Sequence, residues 1–589
     1  MDERYKWNLT DIYEDTSKVD EDFNNIAEYL NEIVKLKGSL KESSVNLLSC
    51  YNLLEKAEMI LMKIDAYSTL KYHQNMANSE NVKLYKKMEN LLNEYVTKTS
   101  FITPEVTDID DNVLLSFLKE NEGLRKYSRI IEKIIKNKKH VLSKEAEYVV
   151  SKYSTVLNSF DNIYTMLNDV DFKFGSIKDE NGNDVQVTHG TYTTFLTSKN
   201  REVRKAAFDK MYEKYKEFIN TLTENYLSVV KEDTISASLR NYSSSLEKAV
   251  DGEDSTVKVY DSLINTVNAN LALNHRYMKL KKKLLNIDKM HMYDVYVNTL
   301  DNSDEKYTFE DAKEIVKKAL TPLGKDYLEV IDFALENRWI DVYESENKYS
   351  GGYSMGVYGV HPYILLNYTD DIESVSTTAH ELGHTMHSYL ASKTQDFFNA
   401  DYTIMVAEVA STVNEILLAE YQIANEKENS KKAALINSLI DRIRATLIRQ
   451  TMFAEFEKDV HLKVESGITL SADELCDIYY NLNKKYFGED VVSDDYIKYE
   501  WARIPHFYRP FYVYKYATGI SSAIAIATRI LKGDKEYTNR YINMLKCGGS
   551  KDSLDLLKDV DVNLETTKPV EDAFKYFEEK LQALEDLLN

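Results

Sequence analysis

The chain has 589 residues, 43% of them hydrophobic and 29% charged, and carries a net charge of −22. That balance supports a large buried core, and its negative sign disfavours nucleic-acid binding through a broad basic surface. At this length about three to five packing units are expected.

The N-terminal run Met1-Asp2-Glu3-Arg4-Tyr5-Lys6-Trp7 is charged and lacks the apolar stretch of a secretory leader. The most apolar late stretch, Ile520 to Leu531, is interrupted by Ser521, Ser522, Thr528 and Arg529. It falls short of the roughly 18 apolar residues of a membrane span. Cys50, Cys476 and Cys547 are odd in number and far apart, which suits a reducing compartment without structural disulfides. These features predict a cytoplasmic protein with no membrane and no nucleic-acid partner.

Only 6 prolines and 18 glycines punctuate the chain, and no proline lies between Pro104 and Pro322. Proline-free stretches rich in Lys, Glu, Leu and Tyr predict a mainly α fold. Ile26, Tyr29, Leu30 and Ile33 form an i, i+3, i+4, i+7 stripe, and the run from Leu53 to Tyr95 is similar. Both read as core contacts between antiparallel helices. Pro104 marks a break near a domain boundary.

Asp171 to Phe174 and Val185 to Thr188 alternate like strands, with Asn181-Gly182 between them, and predict a β-hairpin. Asn200 then caps a new helical region. The division expected from these breaks is an N-terminal helical domain (1–110), a helical segment with the hairpin (111–199) and a catalytic domain (200–589).

The stretch 349–368 differs from its surroundings. Gly351, Gly352, Gly356 and Gly359 cluster before His361-Pro362, and Tyr363 to Tyr368 reads as a short strand. Proline at a strand start predicts an edge strand, which can hold an extended peptide by backbone hydrogen bonds. Asp370-Asp371 then caps a helix placed at about 372–391.

That helix carries His380-Glu381-Leu382-Gly383-His384, a His-Glu-x-x-His motif. Residues four apart share a helix face with Cβ atoms about 5–6 Å apart, so both imidazoles can meet one Zn²⁺. Glu381 lies about 100° round the helix, placed to take a proton from a zinc-bound water. A third ligand is needed. The long metzincin pattern wants glycine at 387 and histidine at 390, where this chain has His387 and Leu390. His387 lies about 10.5 Å along the axis from His380, too far to share the ion, and reads as a packing or substrate-facing residue. Downstream, Glu408 falls in an apolar helical stretch where an unpaired carboxylate is costly, and a metal resolves that cost. Glu415 returns to the same face seven residues on and suits support of a ligand histidine. The reverse assignment of Glu408 and Glu415 stays open on spacing alone.

The chain resembles the M3 family of zinc oligopeptidases, in its oligoendopeptidase F branch, with thimet oligopeptidase and neurolysin as more distant relatives. The resemblance runs from Lys6-Trp7-Asn8-Leu9-Thr10-Asp11-Ile12-Tyr13 through Asn200 to Arg204 and the His380–Thr412 segment. It continues in Trp501-Ala502-Arg503-Ile504-Pro505-His506-Phe507-Tyr508 and ends near Gly548-Gly549-Ser550. It implies a helical ellipsoid divided by a deep substrate channel, with a small β element beside the zinc helix. It also implies one zinc held by His380, His384 and Glu408, and short unstructured oligopeptides as substrates.

His506, Tyr508, Tyr512, Tyr514 and Tyr516 lie within eleven residues, with Pro505 just before them and Pro510 among them. In a chain with 44 tyrosines, composition alone reads this as a packing surface. The resemblance implies that His506 and one or two tyrosines donate hydrogen bonds to the oxyanion, with Tyr512 first, then Tyr508 and Tyr514. The expected function is zinc-dependent cleavage of internal bonds in oligopeptides. The alternative is a non-catalytic peptide-binding protein with a structural zinc.

Overall fold

The computed structural model describes residues 2–157, 159–300 and 305–588. Helices dominate, as the scarcity of proline and glycine requires. Thr16–Lys35 starts where the Asp15 carboxylate accepts the N–H groups of Ser17 and Lys18. It buries Val19, Phe23, Ile26, Leu30 and Ile33 along one stripe, with Tyr29 half-buried beside them. That stripe packs on the long helix Ser44–Gln74, which also meets Ser79–Thr99. Pro104 sits in the first turn of Ile102–Thr107, where its missing N–H costs no helical bond.

The fold is mostly helical, with seven short strands among the described residues. They are β1 (Ser176–Lys178), β2 (Asp184–Gln186), β3 (Met290–His291), β4 (Ile340–Tyr343), β5 (Tyr353–Met355), β6 (Tyr363–Tyr368) and β7 (Val491–Val492). β1 and β2 form the antiparallel hairpin, closed where Asp179 accepts the N–H groups of Asn181 and Asn183. The first strand is displaced from the expected 171–174, because Met166–Asp171 is wound as a π-helical turn.

β4, β6 and β5 make a three-stranded sheet in that order, with β4 parallel and β5 antiparallel to β6. This corrects the expectation that the strand after Pro362 is an edge. The unbroken apolar run Tyr363-Ile364-Leu365-Leu366 is the signature of a strand buried on both faces. Pro362 lies just outside the ladder and removes no bond from it. The edge strands are β4 and β5, and β5 lies inside the glycine-rich stretch. The Lys348 ammonium, buried, reaches Asp341 at 2.6 Å and the carbonyls of Tyr343 and Leu366, tying β4 to β6.

Contacts divide the chain into two compact, discontinuous units. One comprises residues 1–139, 303–421 and 526–561, and the other 140–302, 422–525 and 562–589. These bounds cut across the linear division read from sequence. No helix among the described residues is long and apolar enough to cross a membrane.

Candidate metal centre and active site

The motif lies on Ile372–Thr394, a helix that begins where the Asp371 carboxylate accepts the N–H of Ser374. It packs on β6 and β5, and Ser354 Oγ of β5 meets Thr385 Oγ1 at 2.8 Å. A second helix, Ile404–Asn425, crosses the motif helix at Gly383. A Cβ on Gly383 would stand 2.5 Å from Ser411 Cα and 2.6 Å from the Ala410 carbonyl oxygen, so only glycine permits this approach. Just beyond, the buried Asn414 donates to the Ala379 carbonyl at 3.1 Å and accepts from Tyr327 Oη at 3.2 Å. These contacts set the depth and rotation of the crossing, and so bring the carboxylates of the second helix to the motif histidines.

His380 Nε2 and His384 Nε2 face each other at 3.1 Å, and Glu408 Oε2 lies 3.9 Å from His380 Nε2. One donor atom from each of His380, His384 and Glu408 lies within 4.8 Å of the others, a group able to hold a metal ion. Neighbouring corners of a tetrahedron with bonds of about 2.0–2.2 Å are about 3.3–3.6 Å apart, so two imidazoles and one carboxylate at these separations fit zinc. Glu415 Oε1 accepts from His380 Nδ1. That bond commits Nδ1 as the donor and leaves Nε2 as the lone-pair side. Burial disfavours charge on His380, but Glu415 at Nδ1 outweighs it and raises the imidazole to about 9. Burial and the neighbouring His380 push His384 down to about 3.

Glu381 is 6% exposed, and its Oε2 has no hydrogen-bond partner. Burial pushes this carboxyl up to about 7, against the pull of His380. Its Oε1 lies 3.7 Å from where a Cβ on Gly352 would stand. The glycine-rich approach to β5 thus passes directly beside Glu381, which spacing on the helix does not reveal. His387 is 1% exposed and stacks on Tyr402 at 3.5 Å between ring centroids, which makes it a packing residue.

The remaining sequence candidates lie in the second unit. His506 Nε2 is 3.3 Å from Tyr516 Oη, and its ring lies 5.9 Å from that of Tyr512. Tyr512 and Tyr516 in turn meet edge-on at 5.6 Å. Tyr508 is turned away, stacked on Tyr164 at 4.3 Å with its hydroxyl accepting from Asn225. Tyr514 is fully buried against Tyr260, and burial drives its phenol well above the ordinary range. The grouping is therefore His506, Tyr512 and Tyr516. Tyr508 and Tyr514, ranked ahead of Tyr516 from sequence, stand apart from it in packed aromatic surroundings. One-dimensional spacing does not single out Tyr516, because it is the chain turn between the Pro505–Tyr508 turn and the helix starting at Tyr514 that brings Tyr512 and Tyr516 against His506.

Comparison with known proteins places the chain in a family. The model of peptidase family M3 matches residues 194–576, and that of the oligopeptidase F N-terminal region matches residues 105–174. The chain belongs to peptidase family M3. It is 41% identical over 582 residues to oligopeptidase PepF of Bacillus subtilis, covering 99% of this chain and 87% of that protein. It is 34% identical to group B oligopeptidase PepB of Streptococcus agalactiae, covering 100% of this chain and 98% of that protein. The crystal structure of oligoendopeptidase-F from Enterococcus faecium superposes with a TM-score of 0.76 at 32% identity, covering 97% of this chain and 99% of that one. This M3 chain is thus a metallopeptidase with the mostly helical fold of the oligoendopeptidase F group.

Proposed function

We propose that this M3 peptidase is a zinc endopeptidase that hydrolyses internal bonds of short, unstructured oligopeptides. The observation that carries the reading is the convergence of His380 Nε2, His384 Nε2 and Glu408 Oε2 beside the unpartnered Oε2 of buried Glu381. His380, His384 and Glu408 would hold the ion. Zinc in that position supplies Lewis acidity and makes water acidic enough to lose a proton near neutrality.

The chain's own groups supply the rest. Glu415 fixes the His380 ring and its tautomer. Glu381 Oε2 takes the proton of the attacking water and delivers it to the leaving amine nitrogen. A peptide added as a strand along the outer edge of β5 would run past Gly352 and Glu381, held by backbone hydrogen bonds that ignore side-chain identity. The family resemblance gives His506 and Tyr512 the role of hydrogen-bond donors to the tetrahedral oxyanion. A structural zinc site closes with four protein ligands, whereas three side chains group here among the described residues. That count favours catalysis over a peptide-binding protein with a structural metal.

The test is hydrolysis of an internally quenched fluorogenic peptide before and after chelation. Activity lost with chelator and restored by zinc supports the reading. Hydrolysis unaffected by complete metal removal overturns it.

A further inference from the structure

Glu457 is a fully buried carboxylate on helix Gln450–Glu465 with no part in the reaction described above. Its Oε1 accepts the backbone N–H of Phe511 at 2.7 Å, and its Oε2 has no hydrogen-bond partner. Phe511 has φ +52°, a left-handed conformation that a bulky side chain rarely adopts. Its ring is clamped at 4.5 Å from His461 and 5.6 Å from Tyr260. His461 is itself fixed, with Nδ1 on the Glu457 carbonyl at 2.9 Å and Nε2 on Asp233 at 3.2 Å.

The next residue is Tyr512. Its ring carries the ammonium of Lys515 at 4.0 Å from the centroid, and Lys515 is in turn paired with Glu253 at 2.6 Å. The unfavourable backbone turn at Phe511 therefore sits immediately before the ring that faces His506 and Tyr516. Burying a carboxylate to hold one N–H is costly unless that N–H must be held. Strained backbone of this kind persists where its surroundings over-determine it.

We propose that Glu457 is a positioning residue: by accepting the Phe511 N–H it fixes the left-handed turn that orients Tyr512 toward His506 and Tyr516. The kinetic consequence rests on the reading of Tyr512 as an oxyanion donor, while the positioning itself does not. What matters on this account is the reach of the acceptor and not its charge. Burial pushes the Glu457 carboxyl up to about 8, so a neutral acceptor of the same length is a faithful replacement.

The test compares Glu457→Gln, which keeps the reach and removes the charge, with Glu457→Asp, which keeps the acid and withdraws it by one methylene. Amide hydrogen exchange of the segment 506–516 is read by mass spectrometry, and kcat and KM are measured on one quenched peptide, with Tyr512→Phe as a third arm. The expected result is faster exchange of 506–516 in Glu457→Asp and wild-type protection in Glu457→Gln. A misplacement of about 1 Å can cost about 10²-fold, so kcat should fall by that order in the Asp variant with KM little changed, and stay within about threefold in the Gln variant. Equal exchange in all three proteins, or a Gln variant more disturbed than the Asp variant, overturns the proposal. If Tyr512→Phe retains full kcat, the donor reading falls alone, and the exchange comparison still decides the positioning role.

Discussion

A methyl group on Gly383 would stand 2.5 Å from the Cα of Ser411, closer than Cβ atoms come to backbone in real proteins. The two helices that carry His380, His384 and Glu408 therefore touch backbone to backbone at this point. Gly383→Ala must move one helix, at about 1–3 kcal/mol of overpacking. We expect a lower Tm and a zinc occupancy well below one, measured by thermal unfolding and metal analysis of the same sample. An Ala variant with full zinc and unchanged Tm would mean that the crossing is not as close as described.

Glu408 and Glu415 should separate cleanly on zinc affinity. Glu408→Ala removes a candidate ligand and should largely empty the site. Glu415→Ala removes the acceptor that orients His380, a loss of about 10–100-fold in affinity. Equilibrium dialysis against a zinc buffer compares them. An empty site in Glu415→Ala with a full one in Glu408→Ala would reverse the two roles.

Among the tyrosines, Tyr512→Phe should lower kcat by about 10²–10³ with KM and zinc little changed, since an oxyanion donor acts in the transition state. Tyr514→Phe should leave kcat near wild type, because that hydroxyl is buried in packing. Steady-state kinetics on one peptide, extended to Tyr508→Phe and Tyr516→Phe, ranks all four. Full kcat in both the Tyr512 and Tyr516 variants would reduce the cluster to a packing surface.

A stable folded domain should resist the enzyme, while its tryptic fragments should be cut. The expectation comes from the resemblance to oligopeptidases. Time courses followed by mass spectrometry compare the two substrates, and rapid cleavage of the intact domain would refute the restriction to short unstructured chains.

Much of the site was legible before the fold was known, for physical reasons. Histidines four apart on a helix must share a face, and the structure has them facing at 3.1 Å. Asp371 is the N-cap of the motif helix because its carboxylate can reach the first-turn amides. Pro362 does not make β6 an edge strand, because proline constrains only its own position, while the apolar run after it reports burial on both faces. The hairpin was displaced because Asp171 ends a widened helical turn that no alternation pattern encodes. The difference in burial between Tyr514 and Tyr516 is not legible in the sequence, because Tyr514 is covered by Tyr260, far away in the chain. The two discontinuous units were invisible for the same reason: residues 1–139 pack with 526–561 through contacts that leave no local signal.

The most direct measurement is zinc content and kcat together for Glu381→Gln. The amide keeps the shape of the carboxylate and cannot accept the proton of the attacking water. The account predicts wild-type zinc and a kcat lower by about 10²–10⁴-fold on an internally quenched peptide. Wild-type turnover in a fully zinc-loaded variant would contradict it and remove Glu381 as the base.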